Sequence, residues 1–379
     1  MSTPELPELS TEEIRRYARH LSVPGVGVEG QRKLKASSVL MIGTGGLGSP
    51  AALYLAAAGI GRIGLIDPDT VDRSNLQRQI LHGESWVGKS KLESAAARIR
   101  EVNPHVELDL HPVRFTPDNA MDLVARYDVV LDGCDNFPTR FLSNDACFFL
   151  RKPCVYGSIF RFDGQVTVFA PHLGGPCYRC MLPSLPAPGS APSCEEAGVL
   201  GVLPGVIGSL QAMETIKLML GIGEPPLGKL LCYDALATSF RSLRLRRDPS
   251  CRLCGDTPSI HSVRNTETTA NASCEVPSDE VPEISAAGLA ARIDAGEDLY
   301  ILDVRQPEEE VEGTIPGAHL IPLATLPERL SEIPADREVL VHCRSGGRSS
   351  RAVKLLRQAG IPGAVNVAGG INAWNALDR

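Results

Sequence analysis

Several groups of residues in the 379-residue chain have the type and spacing to do chemistry. Foremost is a glycine-rich turn, Gly43 Thr44 Gly45 Gly46 Leu47 Gly48, which follows the apolar run Val39 to Ile42 and opens into the helix-forming stretch Ala51 to Ala58. Glycines in such a turn let the backbone approach a phosphate, and the helix N-terminus adds unpaired N–H groups and partial positive charge. A second apolar run, Ile63 to Ile66, ends in Asp67, at the distance expected of an acid that holds ribose hydroxyls. Asp69, Asn75, Arg78 and Lys91 come next, and Asp132 and Asp135 follow the run Asp128 to Leu131. Cations and carboxylates in this order suit phosphate chemistry, and so ATP rather than NAD.

Cysteines supply the other chemistry. Cys177 and Cys180 form one C-x-x-C pair and Cys251 and Cys254 another, the spacing at which thiolates converge on a tetrahedral structural zinc. A redox C-x-x-C would follow a strand and open a helix, whereas Gly174 Gly175 Pro176 precedes the first pair. Near the other end, His342 Cys343 Arg344 Ser345 Gly346 Gly347 Arg348 Ser349 lies between a strand-like run and a helical one. Cys343 is therefore expected in a loop closing on a helix N-terminus. Backbone N–H groups there, with Arg344 and Arg348, would favour a thiolate or a persulfide anion. Only four residues separate Cys343 from Arg348, one fewer than a phosphatase loop needs, so the loop suits a single sulfur atom.

Two bare patterns carry nothing. Gly25 to Gly30 satisfies G-x-G-x-x-G but has no strand before it. Gly83 to Ser90 satisfies the P-loop pattern, yet Asn75 to His82 before it is polar at every second or third position.

The elements that must position these groups alternate along the chain. Strand-like runs at Val39 to Ile42, Ile63 to Ile66, Val106 to Leu110, Asp128 to Leu131 and Val166 to Phe169, with helical stretches between, predict an α/β Rossmann-like doubly wound sheet. Pro183, Pro186, Pro188 and Pro192 mark a mobile surface loop, with Cys194 just past it. From Asp256 to Val281 the composition turns polar and predicts a flexible linker. A smaller α/β domain over 282–379 is expected, with a helix at Ser285 to Ala295, strands at Leu299 to Asp303 and Glu338 to His342, and a helix at Ser349 to Ala359.

Composition bounds the partners. A net charge of −7 and the absence of a basic, aromatic-rich block argue against nucleic acid. Val199 to Met213, broken by Pro204 and glycines, is too short for a membrane span. Met1 to Ser10 shows no apolar signal core, and eleven cysteines then suggest metal and thiol chemistry in the cytoplasm.

The strings Ser74 Asn75 Leu76 Gln77 Arg78 Gln79, Gly133 Cys134 Asp135 Asn136 and Cys194 Glu195 Glu196 Ala197 Gly198 Val199 closely resemble the HesA/MoeB/ThiF family, ubiquitin-activating-type adenylyltransferases of sulfur carriers. The resemblance runs from about Thr11 to Gly255. It implies an ATP and Mg²⁺ site comprising Gly43, Gly45, Gly46, Gly48, Asp67, Asp69, Asn75, Arg78, Lys91, Asp135 and Asn136, with Arg78 and Lys91 on the phosphates, Asp135 on Mg²⁺ and Asp67 on the ribose. By the same resemblance Arg19 reaches into the site of the partner subunit of a homodimer, and Cys194 takes part in transfer. A surface-cation reading would suit Arg78 or Lys91 alone, but not their joint match. For Cys194, burial as a small apolar residue stays open.

Residues Pro282 to Arg379 resemble a single rhodanese domain, with Leu302 Asp303 Val304 Arg305 and Gly369 Gly370 Ile371 Asn372 Ala373 Trp374 at its flanks. Thr314 stands where a histidine is more usual. Together the two resemblances imply adenylation of the terminal glycine of a ubiquitin-like carrier ending in Gly-Gly, followed by sulfur transfer from a Cys343 persulfide to give a thiocarboxylate. The persulfide donor would be a cysteine desulfurase or thiosulfate. The pathway would be molybdenum-cofactor, thiamine, cysteine or tRNA-thiolation chemistry. An adenylyltransferase with a rhodanese docking module, an NAD-dependent oxidoreductase and a non-enzymatic scaffold are the alternatives; the oxidoreductase leaves Arg78, Lys91 and Asp135 without a task.

Overall fold

A computed structural model describes residues 5–186, 198–265 and 281–377, and the chain divides into two units, Met1–Ser273 and Cys274–Arg379. In the first unit four of the apolar runs become parallel strands, β1 (Ser38–Ile42), β2 (Arg62–Ile66), β3 (Glu107–His111) and β4 (Val129–Asp132), joined by the unexpected parallel start of β5 (Cys154–Phe160), whereas the run Val166 to Phe169 lies in an antiparallel strand. Val39, Leu40, Met41 and Ile42 are all buried because helices cover both faces of the sheet, which is why the run is continuously apolar rather than alternating. Strand order is β3-β2-β1-β4-β5, continued antiparallel by β6 (Asp163–Phe169), β7 (Lys229–Asp234) and β8 (Ser239–Arg244). The order reverses between β1 and β4, the place where an open α/β sheet leaves a crevice at its strand C-termini. Ile42 is in register with both Ile66 and Asp132, so Gly43, Asp67 and Gly133 emerge side by side there.

Pro204 does not interrupt the chain as expected. Val202–Leu220 is one continuous helix with Pro204 in its first turn, where N–H groups have no intrahelical partner to lose. This helix crosses the Gly48–Ala58 helix closely, since a Cβ on Gly208 would lie 2.3 Å from Leu47 O. Among the described residues no helix is long and apolar enough to cross a membrane.

The Phe137–Leu150 helix ties the crevice to the cysteine pairs. Asn136 caps its start, accepting from Thr139 N at 3.0 Å. Further along, Asp145 accepts two hydrogen bonds from Arg179, at 2.9 and 2.8 Å, and Asn144 Oδ1 accepts from Tyr178 N at 2.7 Å. Arg179 and Asp145 are 1% and 0% exposed, and the guanidinium lies 4.6 Å from the Phe141 ring centroid.

The second unit is a five-stranded parallel sheet of β9 (Glu283–Ser285), β10 (Tyr300–Asp303), β11 (Ala318–Leu320), β12 (Val339–His342) and β13 (Ala364–Ala368), in the order β11-β10-β12-β13-β9. The expected helices form at Ala286–Asp294 and Gly347–Gln358. Leu302, Val339, Val341, Ala352, Val353 and Leu356 pack as the core behind Cys343.

Asp145→Ala would leave the Arg179 guanidinium buried and unpaired. It is expected to cost about 3–5 kcal/mol, read as a lowered denaturant midpoint for the first unit.

Candidate functional site

The glycine turn sits at the crevice, and Gly43 and Gly48 are required by its geometry. Gly43 has φ +92°, and a Cβ on Gly48 would meet Gly43 O at 2.1 Å. Thr44 N and Oγ1 both donate to Asp67 Oδ2, at 2.9 and 2.8 Å, and Asp69 N donates to Asp67 Oδ1 at 3.1 Å. Asp67 therefore locks the turn to the end of β2.

Lys91 is the first residue of the Lys91–Val102 helix and is buried. Its Nζ lies 3.2 Å from Asp69 Oδ2 and 4.0 Å from Asp67 Oδ1, which leaves donors of the ammonium for an anion. Asp69 is far more exposed than Asp67, at 59% against 6% for the side chains. Arg78 donates to Ser74 O at 3.1 Å, and its Cγ lies 3.7 Å from where a Cβ on Gly46 would stand. Asn75 closes the turn that precedes it, accepting weakly from Asp72 N at 3.4 Å. Asp135 and Asn136 are exposed just past β4. The structure thus gathers the glycine turn, Asp67, Asp69, Arg78 and Lys91 around one crevice, with Asp135 and Asn136 at the neighbouring strand end. Arg19 is exposed on the four-residue Ala18–Leu21 helix. Cys194 and the part of the proline-rich segment over 187–197 lie outside the described residues, as do 266–280 of the expected linker.

A nucleotide fits this arrangement on its own evidence. Gln79, beside Gly45, is buried, and its Oε1 has no donor among the described residues. Asp135 is exposed, and its carboxylate is an oxygen donor of the kind Mg²⁺ takes alongside phosphates and water.

Residues that no motif singled out hold the crevice from behind. His82 lies 3.2 Å from Thr44 O through Nε2 and 3.1 Å from Ser94 Oγ through Nδ1. Burial pushes its pKa down and the Lys91 charge adds to that, so the ring is neutral. The buried Asp132 accepts from Cys134 N and Ser143 Oγ, both at 3.0 Å, while Arg140 donates to Cys134 O at 3.1 Å and Tyr156 Oη at 3.0 Å. Gln211 Nε2 donates to Asp132 O at 2.7 Å. The signal for His82 was the polar periodicity of Asn75 to His82, which marks a partly buried polar segment; Arg140 and Gln211 carried no such signal.

Cys177, Cys180, Cys251 and Cys254 converge, with all four sulfurs within 4.8 Å of one another. Measured S···S separations are 3.8, 3.6 and 3.3 Å, close to the roughly 3.8 Å edge of a tetrahedron with 2.3 Å zinc–sulfur bonds. The donor set fits zinc with no open position. Leu253, Ile260, Phe148 and Phe149 pack around it, and Asp248 N donates to Cys180 Sγ at 3.4 Å. Every described cysteine is a free thiol.

In the second unit Cys343 follows β12 and is 1% exposed. Gly346 N donates to its sulfur at 3.2 Å, and Ser349 Oγ lies 3.3 Å away. The loop is held from outside by the Gly370–Asn375 helix, whose Ile371 N donates to Cys343 O and Asn372 N to Arg344 O. Gly370 is required there, since a Cβ would meet Cys343 O at 2.2 Å. Arg344 and Arg348, expected to support charge on the sulfur, both lie in ion pairs. Arg348 pairs with Glu309 through two contacts of 2.6 Å and Arg344 with Glu312 at 3.2 Å, so the groups shown reaching the sulfur are a backbone N–H and a hydroxyl. Thr314 is exposed.

Comparison with known proteins gives two domain matches, the ThiF family over residues 17–253 and the rhodanese-like domain over 285–377. The chain is 46% identical over 377 residues to a probable adenylyltransferase/sulfurtransferase MoeZ of Mycobacterium tuberculosis, covering 97% of this chain and 94% of that one. It is 42% identical to the mouse adenylyltransferase and sulfurtransferase MOCS3, over 97% of this chain and 86% of that protein. A sulfur carrier protein adenylyltransferase of Thermus thermophilus is 52% identical over 68% of this chain and 96% of its own. Among solved structures, E. coli MccB with succinimide shares the fold at a TM-score of 0.57 and 24% identity, over 65% of this chain and 75% of that one.

Metal analysis is expected to find one zinc ion per chain, lost together with first-unit stability on Cys251→Ser. Because His82 titrates below its ordinary 6.5 in the folded unit, the unfolded chain takes up more protons between those values. Its contribution is complete above pH 6.5 and lost as pH falls below it, so the first unit's melting temperature should drop less on acidification in His82→Gln than in the native chain.

Proposed function

Because the chain belongs to the ThiF family and carries a rhodanese-like domain, we propose that it adenylates a ubiquitin-like sulfur carrier ending in Gly-Gly and then transfers sulfur to it. Residues 1–255 carry the first activity and 282–379 the second on this reading.

A carboxylate is a poor electrophile until one oxygen becomes a good leaving group. The carrier's terminal carboxylate attacks the α-phosphorus of ATP; the new O–P bond forms, the α–β bond breaks and pyrophosphate departs. Arg78 and Lys91 stabilise the charge that develops on the phosphates, in a crevice where such groups count for more than in water. Asp67 and Asp69 orient the ribose side, with Asn75 and Asn136 around the nucleotide, and Arg19 enters from a second copy in a homodimer. Asp135 would hold Mg²⁺, which when bound would supply neutralisation of phosphate charge.

A Cys343 persulfide, loaded by a cysteine desulfurase or thiosulfate, then attacks the activated carbonyl and AMP leaves, giving an acyl disulfide. Thiolate attack on Cys343 Sγ, by Cys194 or another thiol, displaces the carrier thiocarboxylate. A cellular thiol reductant reopens the resulting disulfide. The need for ATP and reduced thiols fits the cytoplasm, and the product fits molybdenum-cofactor, thiamine, cysteine or tRNA-thiolation chemistry.

The observation that carries the reading is the set of unlike charges gathered round the glycine turn: Asp67 bonded to the turn, Lys91 buried beside Asp69, and Arg78 against Gly46. Carrier-dependent ATP–pyrophosphate exchange tests it. Lys91→Ala and Arg78→Ala should each lose at least about 10²-fold, whereas Cys343→Ser should retain exchange and lose sulfur transfer. Exchange that is absent, or indifferent to Lys91 and Arg78, would contradict it.

A further inference from the structure

The loop around Cys343 holds cations that are already matched with anions. Arg348 is clasped by Glu309 at 2.6 Å on both guanidinium nitrogens, and Arg344 lies 3.2 Å from Glu312. Both carboxylates belong to one short turn, Pro307–Glu312, which carries Glu308, Glu309, Glu310 and Glu312 and whose Val311 is 90% exposed. We propose, resting on the sulfurtransferase reading, that Glu309 and Glu312 make this unit selective against small anionic sulfur donors, by holding the guanidiniums that such a donor would need.

The turn is built rigidly enough to do this. Arg305, 0% exposed, donates to Glu309 O at 3.0 Å and Gly313 O at 2.9 Å while its own charge is matched by Asp303, at 2.7 to 3.0 Å. Asn375 Nδ2 donates to Glu312 O at 2.6 Å, and Gln306 N donates to Glu309 Oε2 at 2.9 Å. The Arg348 hydrogen bonds, against the cost of burial, hold the Glu309 carboxyl below its ordinary range, so it stays charged at neutral pH. Neither carboxylate has to swing into place, and a displaced one would leave its arginine to the incoming anion.

The consequence differs by donor class. With thiosulfate, Cys343 Sγ attacks the outer sulfur; an S–S bond forms to Cys343, the bond to the sulfonate breaks, and sulfite leaves with the electron pair. Cyanide then removes the outer sulfur as thiocyanate and restores the thiolate. The sulfonate must be held near Cys343 during this exchange, where Glu309, Glu312 and the exposed Glu308 and Glu310 repel it. A persulfide carried on a cysteine of another protein delivers sulfur without a sulfonate and escapes that penalty.

The test is thiosulfate-to-cyanide turnover by the full chain, with Glu309→Gln and Glu312→Gln, beside sulfur loading of Cys343 from a persulfidated cysteine desulfurase read by intact mass. Gln keeps a hydrogen-bond acceptor for the arginine while removing its charge. The thiosulfate KM should fall about tenfold, the change expected for about 1.4 kcal/mol, with kcat little altered and loading from the protein persulfide unchanged. Glu312→Gln, at the more exposed pair, guards against a folding artefact, checked by the second unit's melting temperature. An unimproved KM in Glu312→Gln, or equal losses with both donors, would overturn the proposal alone. Loading of the native chain by neither donor would overturn the sulfurtransferase reading and the proposal with it.

Discussion

A desolvated ion pair, Asp145 with Arg179, joins the working parts of the first unit. Neither side chain meets water, so each charge is tolerable only while the other stays in place. Asp145 lies on the helix that begins at Asn136, beside the crevice, and Arg179 lies between the first two zinc-type cysteines. The position of the Asp135–Asn136 loop and the closure of the four-cysteine cluster are consequently one structural problem. A metal held by the cluster would cross-link residues 177–180 to 251–254, and the helix would carry that rigidity back to the strand end where phosphates would sit.

The parallel centre of the first sheet was legible because strands buried on both faces write themselves as unbroken apolar runs, as Val39 to Ile42 and Ile63 to Ile66 do. Of the antiparallel extension, β6 was legible as the run Val166 to Phe169, but β7 and β8 were not. β7 and β8 mix Lys229, Asp234, Arg241 and Arg244 with apolar residues, and β8 is exposed along its whole length. β9 and β11 are three residues long, too short to show a period. Pro204 misled because proline is a breaker only past a helix's first turn.

At the site, glycine spacing and cysteine pairs were readable because they act through local geometry. His82, Arg140 and Gln211 act through a fold that brings them under the crevice, which a lone polar residue cannot announce. The arginines of the Cys343 loop teach the same lesson in the other direction. Their types suggested a cationic cradle, but Glu309 and Glu312, some way upstream, take up both guanidiniums. The cations of the two units therefore differ in their surroundings: Lys91 at the crevice keeps ammonium donors beyond its Asp69 contact, whereas the arginines of the Cys343 loop are already paired.

Sulfur transfer onto an activated carboxylate requires both units to act on the same carrier molecule. The most direct measurement is the intact mass of a Gly-Gly carrier after incubation with the native chain, ATP, Mg²⁺ and a sulfur donor. Replacement of one carrier oxygen by sulfur, dependent on ATP, is the predicted result. A carrier that emerges unchanged, or is adenylated without ever gaining sulfur, would contradict the coupling of the two activities in this chain.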